Sequence, residues 1–221
     1  MNKSPGRFAR AMLVLPMMLV LAGCGFGRAG PPAQLFDLGP ALSAPPASVS
    51  ARREPVLVSF TAAQMLTDTG VIWRVGDSAS PHSYAGYRWA ASPLQLVRQR
   101  VVDTLSSDGP VVLDGVDPRA PLLQVSLTRF EQVYAPDGRS SSGQVAMQAV
   151  LVRDRTAGSP VVDSVQLVRS APAPSLDAEG GVLALRAATD AAAGDLSAWL
   201  AQRLPAPTRA PAPGLTLRSS P

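Results

Sequence analysis

The chain has 221 residues, with 20 Lys and Arg against 16 Asp and Glu, one His and one Cys. One thiol and one imidazole cannot build a disulfide or a multi-ligand zinc site, and the sole lysine, Lys3, leaves no phosphate-binding P-loop. The formal charge of +4 is not a nucleic-acid signal, because Lys3, Arg7 and Arg10 crowd the N-terminus and the remaining arginines are dispersed.

That basic N-terminus is followed by an apolar run from Ala11 to Ala22. The run is too short to cross a bilayer, which takes about 20 residues. It ends in Leu21-Ala22-Gly23-Cys24. A charged start, an apolar stretch and small residues just before the sole cysteine read as a lipobox, with cleavage between Gly23 and Cys24 and lipidation of Cys24. Residues 1–23 are then a lipoprotein signal peptide. The expected covalent groups are a diacylglycerol and an N-acyl chain on Cys24, with no cofactor. At about 0.8 kcal/mol per buried CH₂, three acyl chains hold a protein on a membrane permanently. Gly25, where an Asp would favour inner-membrane retention, points to the periplasmic face of the outer membrane.

Residues 24–33 read as a tether. The predicted domain covers 34–204. Its first strand is Gln34–Leu38, closed by Gly39-Pro40. Residues 41–54 form a Pro/Ala-rich loop, and Pro55–Phe60 and Thr69–Gly76 are strands. Residues 77–91 read as a polar and aromatic connection. A helix follows, with Ser92 as N-cap and Pro93 in its first turn. Leu94, Val97, Val101 and Leu105 give it one apolar face, and Asp108-Gly109-Pro110 stops it.

Val111–Leu113 is a short strand. Leu123, Val125 and Leu127 lie on one face of a longer one running towards Tyr134, and Phe130 breaks its parity, predicting a bulge or a change of face. Pro136-Asp137-Gly138 is a turn. Val145, Met147, Ala149 and Leu151 form the returning strand, and a third strand carries Val161, Val165 and Leu167. Asp177 or Ser175 caps a last helix running to about Leu204, with Leu185, Ala188, Ala192, Leu196 and Trp199 on one stripe. Gly180, Gly181 and Gly194 weaken it, at about 1 kcal/mol each. Residues 205–221 are a Pro-rich tail expected to be disordered. The expected fold is α/β: a single compact domain in which a mixed, mostly antiparallel sheet carries two main helices.

Catalytic chemistry is hard to assemble. His82 stands alone in the predicted loop, no G-x-S-x-G elbow exists, and Asp103, Asp108, Asp114 and Asp117 read as solvated helix-end and turn residues. The expectation is a protein without enzymatic activity. The concentration of Trp73, Tyr84, Tyr87 and Trp89 in a chain with few aromatics suits an interface, the alternative being that Trp73 and above all Trp89 are core residues near the helix entry.

The arrangement resembles the ABC-type transport auxiliary lipoproteins, the PqiC-like group. The carrying residues are Leu21–Cys24, the Leu35-Phe36-Asp37-Leu38-Gly39 strand, the stretch Tyr84-Ala85-Gly86-Tyr87-Arg88-Trp89-Ala90-Ala91-Ser92-Pro93, and Phe130-Glu131-Gln132-Val133. Phe36 replaces the usual Tyr, and the Pro-rich tail is extra. The resemblance implies a non-catalytic outer-membrane adaptor that docks the periplasmic MCE-domain protein of an MlaE-like permease system moving phospholipid or other hydrophobic molecules. Tyr84, Tyr87, Arg88 and Trp89 are the candidate partner-binding residues. No metal or nucleic acid is implied, and a homo-oligomer would gain from multivalency on a ring-shaped partner. An envelope-assembly lipoprotein and a periplasmic lipid carrier remain as alternatives.

Overall fold

The computed structural model describes residues 32–40, 53–113, 119–155 and 158–204. The signal peptide with Gly23 and Cys24, most of the tether, the 41–52 loop, Asp114, Asp117 and the 205–221 tail lie outside the described residues. Eight strands form one sheet: β1 (Gln34–Phe36), β2 (Val56–Ala62), β3 (Gly70–Val75), β4 (His82–Trp89), β5 (Val111–Leu113), β6 (Leu122–Tyr134), β7 (Ser141–Arg153) and β8 (Val161–Pro172). Two helices, α1 (Pro93–Ser106) and α2 (Ala178–Ala201), pack on it. The two long ladders, β6 with β7 and β7 with β8, are antiparallel, so most of the paired length is antiparallel as expected. The shorter pairings of β1 with β4, β2 with β5 and β6, and β3 with β6 are parallel.

Strand β6 organises the sheet. One edge pairs with β7 along its whole length. The other edge is shared: β2 pairs with Leu122–Leu127 and β3 with Gln132–Tyr134. Between β2 and β3 the chain makes a short 3-10 turn, Gln64–Leu66, which sinks Leu66 into the core. The β6–β7 register shifts between Leu127 and Arg129. This is the bulge predicted from Phe130, placed at Thr128. Before it Leu123, Val125 and Leu127 are buried; after it Phe130 and Gln132 are. The extra residue therefore keeps the buried side of both halves turned to the helices.

On β7 the odd residues Val145, Met147, Ala149 and Leu151 are buried, whereas Gln148 on the other face is exposed. Helix α2 lies over β7 and β8, and α1 packs beside it near β2 and β5. The predicted stripe Leu185, Ala188, Ala192, Leu196 and Trp199 is buried. The predicted caps are observed. Ser92 accepts from the Gln95 N–H while Gln95 reaches back to the Ser92 N–H, and Asp177 accepts from the Gly180 N–H at 2.8 Å. The Ser175 hydroxyl and that N–H hold the Asp177 carboxyl below its ordinary pKa.

Three sequence expectations need correction. Residues 82–89 are not a loop but strand β4, antiparallel to β3. Its register shifts between Gly70 and Ile72 of β3, which breaks the alternation that marks a strand. Leu94 is half-buried rather than central to the α1 face, where Arg100 is buried instead. The third concerns Gly180 and Gly181, which do more than weaken α2. A Cβ on Gly181 would stand 2.1 Å from Gln132 Oε1, and one on Gly180 would stand 2.3 Å from the Ser175 carbonyl oxygen. Gly143 of β7 completes the close contact, since its Cβ would meet the Leu185 backbone nitrogen at 2.4 Å.

Opposite stability effects follow. Gly143→Ala should destabilise the protein by about 1–3 kcal/mol, because α2 must lift off β7. Gly194→Ala, with nothing within 4 Å of its Cβ, should stabilise it by about 0.5–1 kcal/mol. Urea denaturation midpoints of the purified variants check both signs.

Candidate functional site: an aromatic groove at one end of the sheet

The bulge in β6 turns Gln132 and Tyr134 to the same side as Phe130. There they meet β3 and β4. Trp73 pairs with Gln132 across the β3–β6 ladder and with His82 across β3–β4, where the indole stacks on the imidazole with centroids 4.5 Å apart. Tyr84 lies 6.0 Å from Trp73, and Tyr134 meets Trp73 edge-on at 5.7 Å. Tyr87 meets Tyr84 edge-on at 6.0 Å and stacks on Phe36 of β1 at 5.4 Å. A continuous row of rings thus crosses β1, β4, β3 and β6. Trp73, Val75, Tyr84, Tyr134, Ala135, Pro136 and Gly138 line a groove of about 380 Å³ in this row.

The hydroxyls under the groove are tied down. Tyr84 Oη donates to Gln132 Oε1 at 2.8 Å and lies 2.6 Å from Tyr134 Oη, which donates to the Leu176 carbonyl at 2.5 Å. Gln132, fully buried, donates from Nε2 to Ser141 Oγ and to the Asp177 carbonyl. Two phenolic protons serve three oxygen–oxygen contacts, so an ionised Tyr84 would face further oxygen lone pairs. Burial first, and then the Tyr134 hydrogen bond, push the Tyr84 phenol well above its ordinary pKa. The Tyr84 and Tyr134 rings are therefore fixed in place by their hydroxyls.

Of the sequence-predicted site residues, the structure brings Tyr84 and Tyr87 into this row. It separates the other two. Trp89 is 1% exposed and packs edge-on against Phe130 in the core. Arg88 Nη1 donates to the carbonyls of Tyr84 and Tyr87 at 3.0 and 2.8 Å, binding the irregular turn of β4 to itself. His82 is exposed, as expected, but on a strand. Sequence reading missed Tyr134, Phe36 and Gln132. The parity break at Phe130 was the available signal for Tyr134 and Gln132, since it carries both to the groove side. On the opposite face, buried Glu131 is held by Arg74 at 2.8 Å and Arg129 at 3.5 Å beside a wider polar cleft of about 700 Å³.

No family model matches the sequence, and no curated protein matches it. Solved structures do. A Xanthomonas campestris protein described under the family DUF330 is 16% identical; the match covers 77% of this chain and 97% of that one, with a TM-score of 0.62. A second structure, described as an uncharacterized protein, is also 16% identical over 77% of this chain and 99% of its own, at 0.58. A minor lipoprotein from Acinetobacter baumannii is a remoter likeness, 12% identical over 69% and 97% of the two chains, with a TM-score of 0.36. The first two share the fold of this chain.

The Tyr84 environment sets a pH dependence. The folded pKa is raised, so the unfolded state loses this proton first as pH rises. The stabilisation is fully present below about pH 10, the unfolded phenol value, and is lost above it. Urea titrations from neutral pH to above pH 10 should show the wild type losing stability more steeply than Tyr84→Phe. Equal slopes would contradict a shifted Tyr84.

Proposed function

We propose that the mature protein is a lipid-anchored lipoprotein without enzymatic activity. In this reading it is the outer-membrane docking component of a transport system built from an MlaE-like permease and a periplasmic MCE-domain protein. The observation that carries the anchor is Leu21-Ala22-Gly23-Cys24, placed behind a basic start and a short apolar run and containing the sole cysteine. The resemblance to the auxiliary lipoproteins supports the docking role, and its longest motif has a visible structural job. Within Tyr84–Pro93, Tyr87 joins the aromatic row and Arg88 closes the β4 irregularity. Trp89 fills the core, while Ser92 and Pro93 start α1. The reading as a lipid carrier is less favoured, because Trp89, Phe130, Met147, Leu185 and Leu196 fill the space between helices and sheet.

Chemical crosslinking in the native envelope, followed by affinity capture and mass spectrometry, tests the proposal. An MCE-domain protein should be enriched. Cys24→Ala should release the protein from the membrane fraction and lose that enrichment. Capture of a barrel-assembly component or a peptidoglycan binder without any MCE protein would overturn the docking role in favour of envelope assembly.

A further inference from the structure

We infer that the aromatic end of the sheet is the face this protein lays on a phospholipid surface, an inference that rests on the lipoprotein reading of Cys24. The tether enters the domain at that end. Strand β1 begins at Gln34, whose register partner is Tyr87 and whose side chain reaches Glu179 in the first turn of α2. Gln34 lies only ten positions after Cys24, a reach of roughly 35 Å when fully extended. Helix α2 runs for 24 residues, about 36 Å at 1.5 Å per residue. The Gln34–Glu179 contact puts its first turn where the tether joins the domain, and its C-terminus lies a helix length away.

The chemistry of that end suits the bilayer interface. Trp73, Tyr84, Tyr87 and Tyr134 are half-buried, and Val75 and Leu176 beside them are 42% and 48% exposed. Tryptophan and tyrosine favour the headgroup level, where one part of the ring meets carbon and another meets water. The groove gives an acyl or glycerol segment a preformed slot, because the hydroxyls beneath it are already bonded inwards. The anchor has already brought the domain to the membrane, so a weak patch is enough to orient it.

The protein contains its own probe. Of its three tryptophans, Trp89 and Trp199 are 1% and 9% exposed in the core, leaving Trp73 at the surface. The experiment uses lipidated full-length mature protein on phosphatidylethanolamine–phosphatidylglycerol vesicles with brominated acyl chains, which quench nearby indoles. Part of the emission should be quenched. Trp73→Phe should abolish that quenching, and Val75→Asp, on the exposed rim, should at least halve it with circular dichroism unchanged. Protein that floats with the vesicles while Trp73 emission stays unquenched would overturn this inference and leave the anchor standing. Unquenched Trp73, together with an envelope-protein crosslink lost in Trp73→Phe, would overturn it and assign the groove to a protein partner. Protein that does not float and carries no lipid on Cys24 would remove the lipoprotein reading and this inference with it.

Discussion

One extra residue in β6, at Thr128, sets the arrangement of everything around it. A strand that simply alternated past Leu127 would turn Phe130 outwards and drive Glu131 under the helices, because a one-residue slip reverses every side chain beyond it. The bulge avoids this. Phe130 joins the core against Trp89, and Glu131 goes to the opposite face, where Arg74 and Arg129 meet its carboxylate. The same residue divides the β6 edge. Strand β2 follows β6 up to Leu127, the chain steps aside through its 3-10 turn, and β3 rejoins β6 at Gln132. Gln132 and Tyr134 then face Trp73 and Tyr84, so the groove exists because the strand is irregular.

Two buried arginines hold what the ladders do not reach. Arg53, 1% exposed, donates to the carbonyls of Leu105 and Gly109 from one guanidinium nitrogen and to those of Glu54 and Pro110 from the other. It adds a charged donor to the Leu105 carbonyl, which already accepts from the Asp108 and Gly109 N–H groups, and holds the carbonyls of the chain just beyond α1. Burial lowers its pKa, and the charge of Asp108 works against that shift. Arg100 ion-pairs with Asp190 of α2 and donates to the carbonyls of Leu38 and Gly39, tying both helices to the end of β1. Removing one partner of a buried ion pair costs about 3–5 kcal/mol. Set against a domain stability of about 5–15 kcal/mol, the Arg100 clamp is as important to the fold as a large core side chain.

The sequence shows clearly those elements whose local chemistry agrees with their tertiary role. Ser92-Pro93 and Asp177 mark helix starts, the stripe from Leu185 to Trp199 is continuous, and Pro136-Asp137-Gly138 is a hairpin turn with Gly138 at positive φ. What it hides depends on distant partners. Strand β4 is broken in register and carries small residues between its aromatics, so it gives no period-two signal. Arg53 stands at the end of a Pro/Ala-rich stretch, and nothing local says that it will be buried 52 residues from the carbonyl it holds. Glycines show the same limit. Gly180 and Gly181 look like flaws in a helix until Ser175 and Gln132 appear against them, whereas Gly194, with open space around its Cβ, carries only the propensity cost.

The site divides along similar lines. The aromatic cluster in the sequence is one run of residues, yet its members separate by function once β4 is built. Trp89 is core, Arg88 is bonded to its own strand, and Tyr84 and Tyr87 line the surface row. A motif whose positions mostly close a strand and start a helix carries information about fold. Two chains only 16% identical to this one share its architecture over more than three-quarters of its length. Information about partner and membrane must come from residues with no such structural duty. Val75 and Leu176 are of that kind, since their exposure serves neither the core nor a turn.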